Sequence, residues 1–564
     1  MSSAAGVPRP PEPTNSTPVS VREGTLALAV IALAFALRIW LISTVGLEHY
    51  DEGVYAMSGL GLADEAQTPR LYPGQSRFSP LIYPLLVAGS FRLLGGASDV
   101  AAILPNVLLG TLSVCLLWWV GRRWFGPVAG LAAATLLATS ELHIAMSRSA
   151  LTDVSFTLFF LAAIACFVEA KERDSLVWAL LAGVVTGLAW NTKYHGWFAL
   201  IPTGAALLVL TVQNRWRDWP RPWRLWAASA AVAGALYVPW VLFVDSEPGG
   251  YAGLVAYQRS MLQGGWLGNL AEQIAQLSYM DGATSRAGFA ATILISLVAF
   301  SRRRLLSRSL HARLLAALVG LLFLGAVGVA TALTFFWLFG QARQAPRYGD
   351  LVLTCWVVLW FVTAPLYTPY LRLLLPFTVA VFAGAGAWLQ TTLGAERETA
   401  FKTPRRPTLA LGVGMAVGVF AVFLGLRSPV APWRPATDFR AASSRIATLL
   451  PEGASVIVIG QPEIAFYLRV AGLQAVSSET EPEEWASEPS PAYLVEGVYA
   501  RRAPKLRDGL TALRGRLQML ERYPVVPKDL RVLDDSKGRK AREYSRAPDS
   551  TFDLILYRLR PRGS

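Results

Sequence analysis

Two adjacent carboxylates, Asp51 and Glu52, sit in LEHYDEGVYA (47–56), just past the first apolar segment of the chain. A charge at a membrane edge is costly unless it has a partner or a task. Polar residues recur at similar edges further on. SRSALTD places Arg148 and Asp153 at a turn between two apolar runs, and WNTKYHG places Asn191, Lys193, Tyr194 and His195 at the next. QAPRYGD (344–350) and TPYLRLLLPF (368–377) add Arg347, Tyr370 and Arg372. Acids and cations gathered on one face suit a transfer between an acceptor hydroxyl and an anionic leaving group. A carboxylate removes the acceptor proton, and Arg and Lys stabilise a departing phosphate.

The elements that must position these residues are apolar. The 564-residue chain is 53% hydrophobic and only 16% charged, with a mean hydropathy of +0.40. That composition excludes an ordinary soluble protein and predicts a polytopic α-helical membrane protein, each span needing roughly 20 residues. Spans are predicted near 25–45, 100–120, 127–146, 150–170, 177–192, 196–212, 225–244, 283–301, 312–338, 350–366, 370–392 and 407–427, and parity brings the total to 11 or 13. Residues 80–95, with Pro80, Pro84 and Arg92, read as a helix lying in the interface. The net charge of +14 falls in clusters between apolar runs, so it marks cytoplasmic loops and no nucleic-acid partner is expected. GRRWFG (121–126), EAKERD (169–174), NRWRDWPRPWR (214–224) and SRRRLLSRSLHAR (301–313) are such clusters. The acidic stations then face the opposite side, with outer loops at 46–99 and 245–282, in a plasma (inner) membrane protein whose site is extracytoplasmic.

The Pro/Ser/Thr-rich residues 1–23 read as a disordered cytoplasmic N-terminus. Residues 24–428 form the membrane domain. After 429 the composition shifts to short β-type runs at 454–460, 491–500 and 551–559, with helical stretches at 438–450 and 504–521. This predicts a soluble extracytoplasmic α/β domain over 429–564, serving support or acceptor recognition. Cys115, Cys166 and Cys355 all lie in apolar runs, so no disulfide framework is expected.

The ordered set YDEGVYA, SPLIYPLL with FRLLG, GRRWFG, SRSALTD, LAWNTKYHG and YLRLLLPF resembles the GT-C glycosyltransferases, in the branch of protein O-mannosyltransferases and the aminoarabinose transferase of lipid A. The resemblance covers most of 25–395. It implies a GT-C type fold and transfer of a monosaccharide, with inversion, from a polyprenyl-phosphate sugar donor to a lipid, glycan or protein acceptor. It implies Asp51 as base or acceptor-orienting group and Asp153 as the second acid shaping the site. Lys193 and Arg372 match positions near the donor phosphate. Relatives often carry His or Lys before paired prolines where this chain reads RFSPLIYP, and Arg77 is the nearby substitute. Arg347 and Arg148 complete the candidate phosphate cations, and Glu52 the candidate acids.

Plainer readings stand beside these. Asp51 and Glu52 could cap a helix, Asp153 could pair with Arg148, and Lys193 could snorkel. His49, His143 and His195 match no compact metal motif. A divalent cation bridging the phosphate and Glu52, with His49 beside it, stays open, and no other cofactor is indicated. A flippase for a polyprenyl-linked sugar is the alternative outside enzymes, although no internal repeat supports it. A non-catalytic membrane scaffold displaying 429–564 is the third.

Overall fold

The computed structural model describes residues 19–64, 71–213, 220–262, 264–280, 327–328, 330–335, 337–338, 347–399, 438–478, 493–498, 500, 504–525 and 552–560. Among these, seven helices are long and apolar enough to cross a bilayer, or eight if one bent pair is a single span. The protein is an integral membrane protein. Predicted spans near 283–301 and 407–427, and most of 312–338, lie outside the described residues, as do residues 1–18.

The spans run along α1 (Val21–Ile39), continuing through a short turn to Thr44, α5 (Asp99–Phe125), α8 (Asp153–Arg173), α10 (Leu200–Gln213) with the turn from Gly196 before it, α11 (Pro220–Asp245), α14 (Tyr348–Thr363) continuing to Leu366, and α15 (Leu375–Thr399), whose span is Leu371–Thr391. Small residues let them approach closely: Gly130 of α6 (Pro127–Thr139) lies against the backbone of Trp118 and Arg122, where a Cβ would overlap. Helix α6 meets α7 (Glu141–Ser147) at a 61° bend. A broken helix in lipid frees carbonyls that need donors. Arg38, fully buried, supplies them to Leu137 and Ala138 and also contacts His143 Nδ1 at 2.7 Å. Helix α9 (Leu176–Trp190) is apolar but shorter.

Five shorter helices accompany the spans. Helix α2 (Tyr50–Ala63) carries the acidic pair, α3 (Gln75–Phe78) follows it, and α4 (Ile82–Leu93) packs on α2 through Tyr83 and Val87. Only 12 residues long, α4 is the helix predicted to lie in the interface. Helices α12 (Gly250–Ser260) and α13 (Trp266–Met280) hold the segment before Arg372: Thr368 donates its N–H to Met261, and Asn269 donates to the Pro365 carbonyl.

The C-terminal region contains helices α16 (Asp438–Leu449), α17 (Pro462–Val470) and α18 (Pro504–Leu513) around a five-stranded sheet ordered β2-β1-β3-β5-β4. β1 (Ser455–Ile459) runs parallel to β2 (Gln474–Ser478) and β3 (Tyr493–Glu496), while β5 (Phe552–Leu559) is antiparallel to β3 and β4 (Leu517–Val525). The predicted helix over 504–521 ends at Leu513, and 517–525 is strand β4. LQMLER has helix-forming side chains, but pairing with β5 overrides that weak preference. Strand β2 carries no strong β-signal in its sequence, QAVSS.

Candidate active site

The segment entering α2 is organised by its own side chains. His49 caps the helix, its Nδ1 accepting the N–H of Asp51 at 3.1 Å. Glu52 Oε2 accepts the N–H groups of Glu48 and His49, both at 2.9 Å, and Oε1 accepts that of Ala150 at 2.7 Å. Reciprocal capping of this kind satisfies amides that the first turn leaves open. Glu52 is buried and ties the start of α2 to the turn before α8. Both oxygens of Glu52, a candidate catalytic acid, serve backbone amides, an arrangement that suits a strut. The candidate metal ligands Glu52 and His49 are both engaged in these capping bonds. Among the described residues, no group of three or more His, Cys, Asp or Glu could hold a metal ion.

Asp51 projects from the first turn of α2 and pairs with Arg372, Nη1 to Oδ2 2.7 Å. Arg372 stands on the turn Leu371–Leu374, its guanidinium 5.5 Å from the Tyr370 ring centre. Asp153 opens α8 and pairs with Lys193, which the turn after α9 presents. Its other oxygen, Oδ2, has no hydrogen-bond partner among the described residues. The two ion pairs are neighbours: the charge of Lys193 acts on Asp51, and that of Arg372 on Lys193. Four charged side chains from four chain segments thus converge, the most exposed of them only 14% open. Burial alone would push the Asp51 carboxyl up, but Arg372, with His49 and Lys193, holds it below the ordinary carboxylate range. Burial pulls the Lys193 ammonium below the ordinary lysine range, against the opposing pull of Asp153.

Other candidates fall elsewhere. Arg77 is exposed on α3, and its carbonyl accepts a bond from Gln258 at 3.1 Å. Arg148 is buried and donates to the carbonyls of Arg38 at 2.7 Å and Trp40 at 2.6 Å, closing the end of α1. Its candidate role at the donor phosphate and its pairing with Asp153 are both corrected: a buried guanidinium spent on carbonyls serves the fold. Arg347 begins α14 beside Asp350. There Lys171, at the far end of α8 from Asp153, lies 5.2 Å from the Tyr348 ring, and Trp124 packs on Gly349. Twenty-one residues of α8 rise about 31 Å, so Arg347 belongs to the opposite end of the bundle from Asp51. His195 packs against Phe156 and Trp360. Burial, with Lys193 nearby, lowers its pKa to about 3, so it is a neutral ring. No motif marks Tyr55 and Tyr83, a buried edge-to-face pair on α2 and α4. Nor does one mark Glu463 and Tyr467 of α17, which the fold brings to Gly53 and Leu47.

Residues 79–243 match the family model described as dolichyl-phosphate-mannose-protein mannosyltransferase. YycA of Bacillus subtilis, provisionally named a mannosyltransferase, is 30% identical over 156 residues, 28% of this chain and 22% of that protein. The undecaprenyl phosphate-alpha-4-amino-4-deoxy-L-arabinose arabinosyl transferase of Edwardsiella ictaluri is 30% identical over 162 residues, 27% of this chain and 28% of that protein. The matched stretch is therefore under a third of either relative. Among solved structures, ArnT from Cupriavidus metallidurans bound to undecaprenyl phosphate superposes with a TM-score of 0.58 at 17% identity, over 95% of this chain and 97% of that one. The chain shares the fold of that structure.

Proposed function

We propose that this protein is a glycosyltransferase that moves a monosaccharide from a polyprenyl-phosphate donor to an acceptor at the extracytoplasmic face of the inner membrane. The observation that carries this reading is the buried quartet Asp51–Arg372 and Asp153–Lys193, set at one end of a GT-C bundle. The lipid-phosphate sugars in the names of the matched family and relatives agree with it. In this reaction an acceptor oxygen attacks the anomeric carbon opposite the phosphate. The new glycosidic bond forms as the bond between that carbon and the phosphate oxygen breaks. The configuration inverts, and polyprenyl phosphate leaves with the electron pair.

Asp51 takes the proton of a hydroxyl acceptor, and being ionised over the neutral range it is ready to do so. An acceptor already ionised, such as a phosphate, would be oriented by it instead. Arg372 and Lys193 stabilise charge as it develops on the leaving phosphate, in a water-poor site where fixed cations act strongly. Arg77, exposed on the neighbouring α3, is positioned to meet a phosphate arriving from the lipid. Asp153 holds Lys193 in place. The basic loops 121–126 and 169–174 lie at the end opposite Asp51, which under the positive-inside rule supports an extracytoplasmic quartet.

The test uses purified protein in liposomes with undecaprenyl-phosphate mannose or undecaprenyl-phosphate 4-amino-4-deoxy-L-arabinose and an envelope-lipid or peptide acceptor extract. Free undecaprenyl phosphate released by wild type and lost in Asp51→Asn supports the reading. Lipid-linked sugar that crosses the bilayer unconsumed would replace it with the flippase.

A further inference from the structure

The chain segment that delivers Asp51 is held by four side-chain bonds to its backbone. The amides of Glu48 and His49 go to Glu52, that of Asp51 goes to His49, and that of Leu47 goes to the Tyr467 hydroxyl at 2.7 Å. Three of these acceptors are local. The fourth comes from the C-terminal domain, 420 residues away in sequence. The same hydroxyl donates to Asp99 Oδ2 at 3.2 Å. Asp99 Oδ2 also receives Arg440 Nη1 at 2.8 Å, and Arg440 Nη2 donates to the Ser43 carbonyl at 3.0 Å.

On the other side of Asp51, Gly53 lies against the backbone of Pro462 and Glu463, where a Cβ has no room. Tyr72 Oη donates to Ser477 at 2.8 Å, and Phe91 stacks on Phe466 with ring centres 6.0 Å apart. The C-terminal domain therefore grips residues 43–53 both before and after the acid.

We propose that the C-terminal domain is a splint for Asp51, and that Tyr467 is its positioning residue. This rests on the transferase reading for its kinetic consequence but not for its structural one. Tyr467 touches no reacting atom. It fixes Leu47 against α5, and Leu47 fixes the approach to the helix cap at His49. Asp51 can then meet Arg372 only in one geometry. Removing the hydroxyl leaves the N–H of Leu47, a fully buried residue, without its acceptor.

The experiment compares full-length wild type, Tyr467→Phe and Tyr523→Phe in liposomes. Tyr523 is a buried tyrosine of the same domain whose hydroxyl bonds Glu521, away from residues 43–53. Amide hydrogen exchange is read first, because it does not require the donor. Tyr467→Phe should speed exchange across 47–53 and leave the rest of α5 and α8 unchanged, while Tyr523→Phe matches wild type in that segment. Turnover of undecaprenyl-phosphate sugar is read second. Small displacements of a catalytic group cost roughly 10- to 100-fold in rate, so kcat should fall by about that factor with donor KM within about twofold. The acid limb should move to higher pH, since Asp51 would lose part of its hold on Arg372 while His49, Lys193 and Glu463 still face it. Unchanged exchange at 47–53 overturns the splint. So does a rate loss that merely tracks lost folded protein with the acid limb unmoved. Altered exchange together with a wild type that releases no lipid phosphate from either donor would keep the splint and sink the transferase reading.

Discussion

Glu52→Gln separates a strut from a catalytic acid. The substitution keeps size and shape but removes one acceptor oxygen. Wild-type Oε2 serves two amides at 2.9 Å and Oε1 serves a third at 2.7 Å. Whichever way a glutamine amide turns, its NH2 group meets at least one N–H donor. A buried donor left without a partner costs about 1–3 kcal/mol. The surviving bonds also fall from charge-assisted to neutral strength, roughly halving each. Relief of a buried charge offsets part of this, so a net cost of about 2–3 kcal/mol is expected at the junction of α2 and the turn before α8.

If that cost is felt as misplacement of Asp51 relative to Asp153, turnover falls roughly 30- to 150-fold, at 1.36 kcal/mol per decade. The assay is undecaprenyl phosphate release across pH. A strut predicts a lower rate with the acid limb still present, because Asp51 remains the titrating group. A rate above half that of wild type would refute the strut. A profile with no acid limb would move the proton transfer from Asp51 to Glu52.

Asp51→Asn should lower release by roughly 10²- to 10⁴-fold, the usual worth of a positioned base, with donor binding retained in a filter assay. Lys193→Met leaves Asp153, 1% exposed, as a buried unpaired charge. That costs about 3–5 kcal/mol and should cut the yield of folded protein; adding Asp153→Asn should restore yield but not turnover. Arg347→Ala should change turnover less than about twofold, because Arg347 lies at the opposite end of the bundle; a tenfold loss would overturn that placement. Glu463 carries the reverse pH signature from Asp51. Burial, with Glu52 and Asp51 nearby, holds its carboxyl well above the ordinary range. Its stabilising effect is thus complete below the unfolded glutamate value of about 4.3 and is lost as pH rises through the folded value. Asp51, with its lowered value, stabilises above about 3.9 and loses that effect as pH falls. Glu463→Gln should therefore resist thermal unfolding at alkaline pH better than wild type; equal melting at every pH would show that the buried carboxyl is not linked to folding.

What was legible in the sequence followed from cost. An acid or a cation at a span end is expensive, so Asp51, Asp153, Lys193 and Arg372 stood out, and the fold brings them together as two ion pairs. The same cost does not say what a residue is spent on. Arg148 and Arg347 looked like equivalent cations, yet one closes helix α1 and the other caps α14 beside Asp350 at the far end. Which end of a helix a loop occupies depends on counting spans, and the parity of the predicted spans leaves the total at 11 or 13. The pairing partner was equally hidden. Asp153 is five residues from Arg148 but bonds Lys193, forty residues on, because α8 and α9 return side by side. Least visible was the C-terminal domain's grip on the acid. Tyr467 and Glu463 carry no motif, and Gly53 reads as one more small residue in a membrane chain. Their meaning lies in a contact across more than 400 residues, and a splint of that kind requires only a hydroxyl and an absent Cβ at the right place.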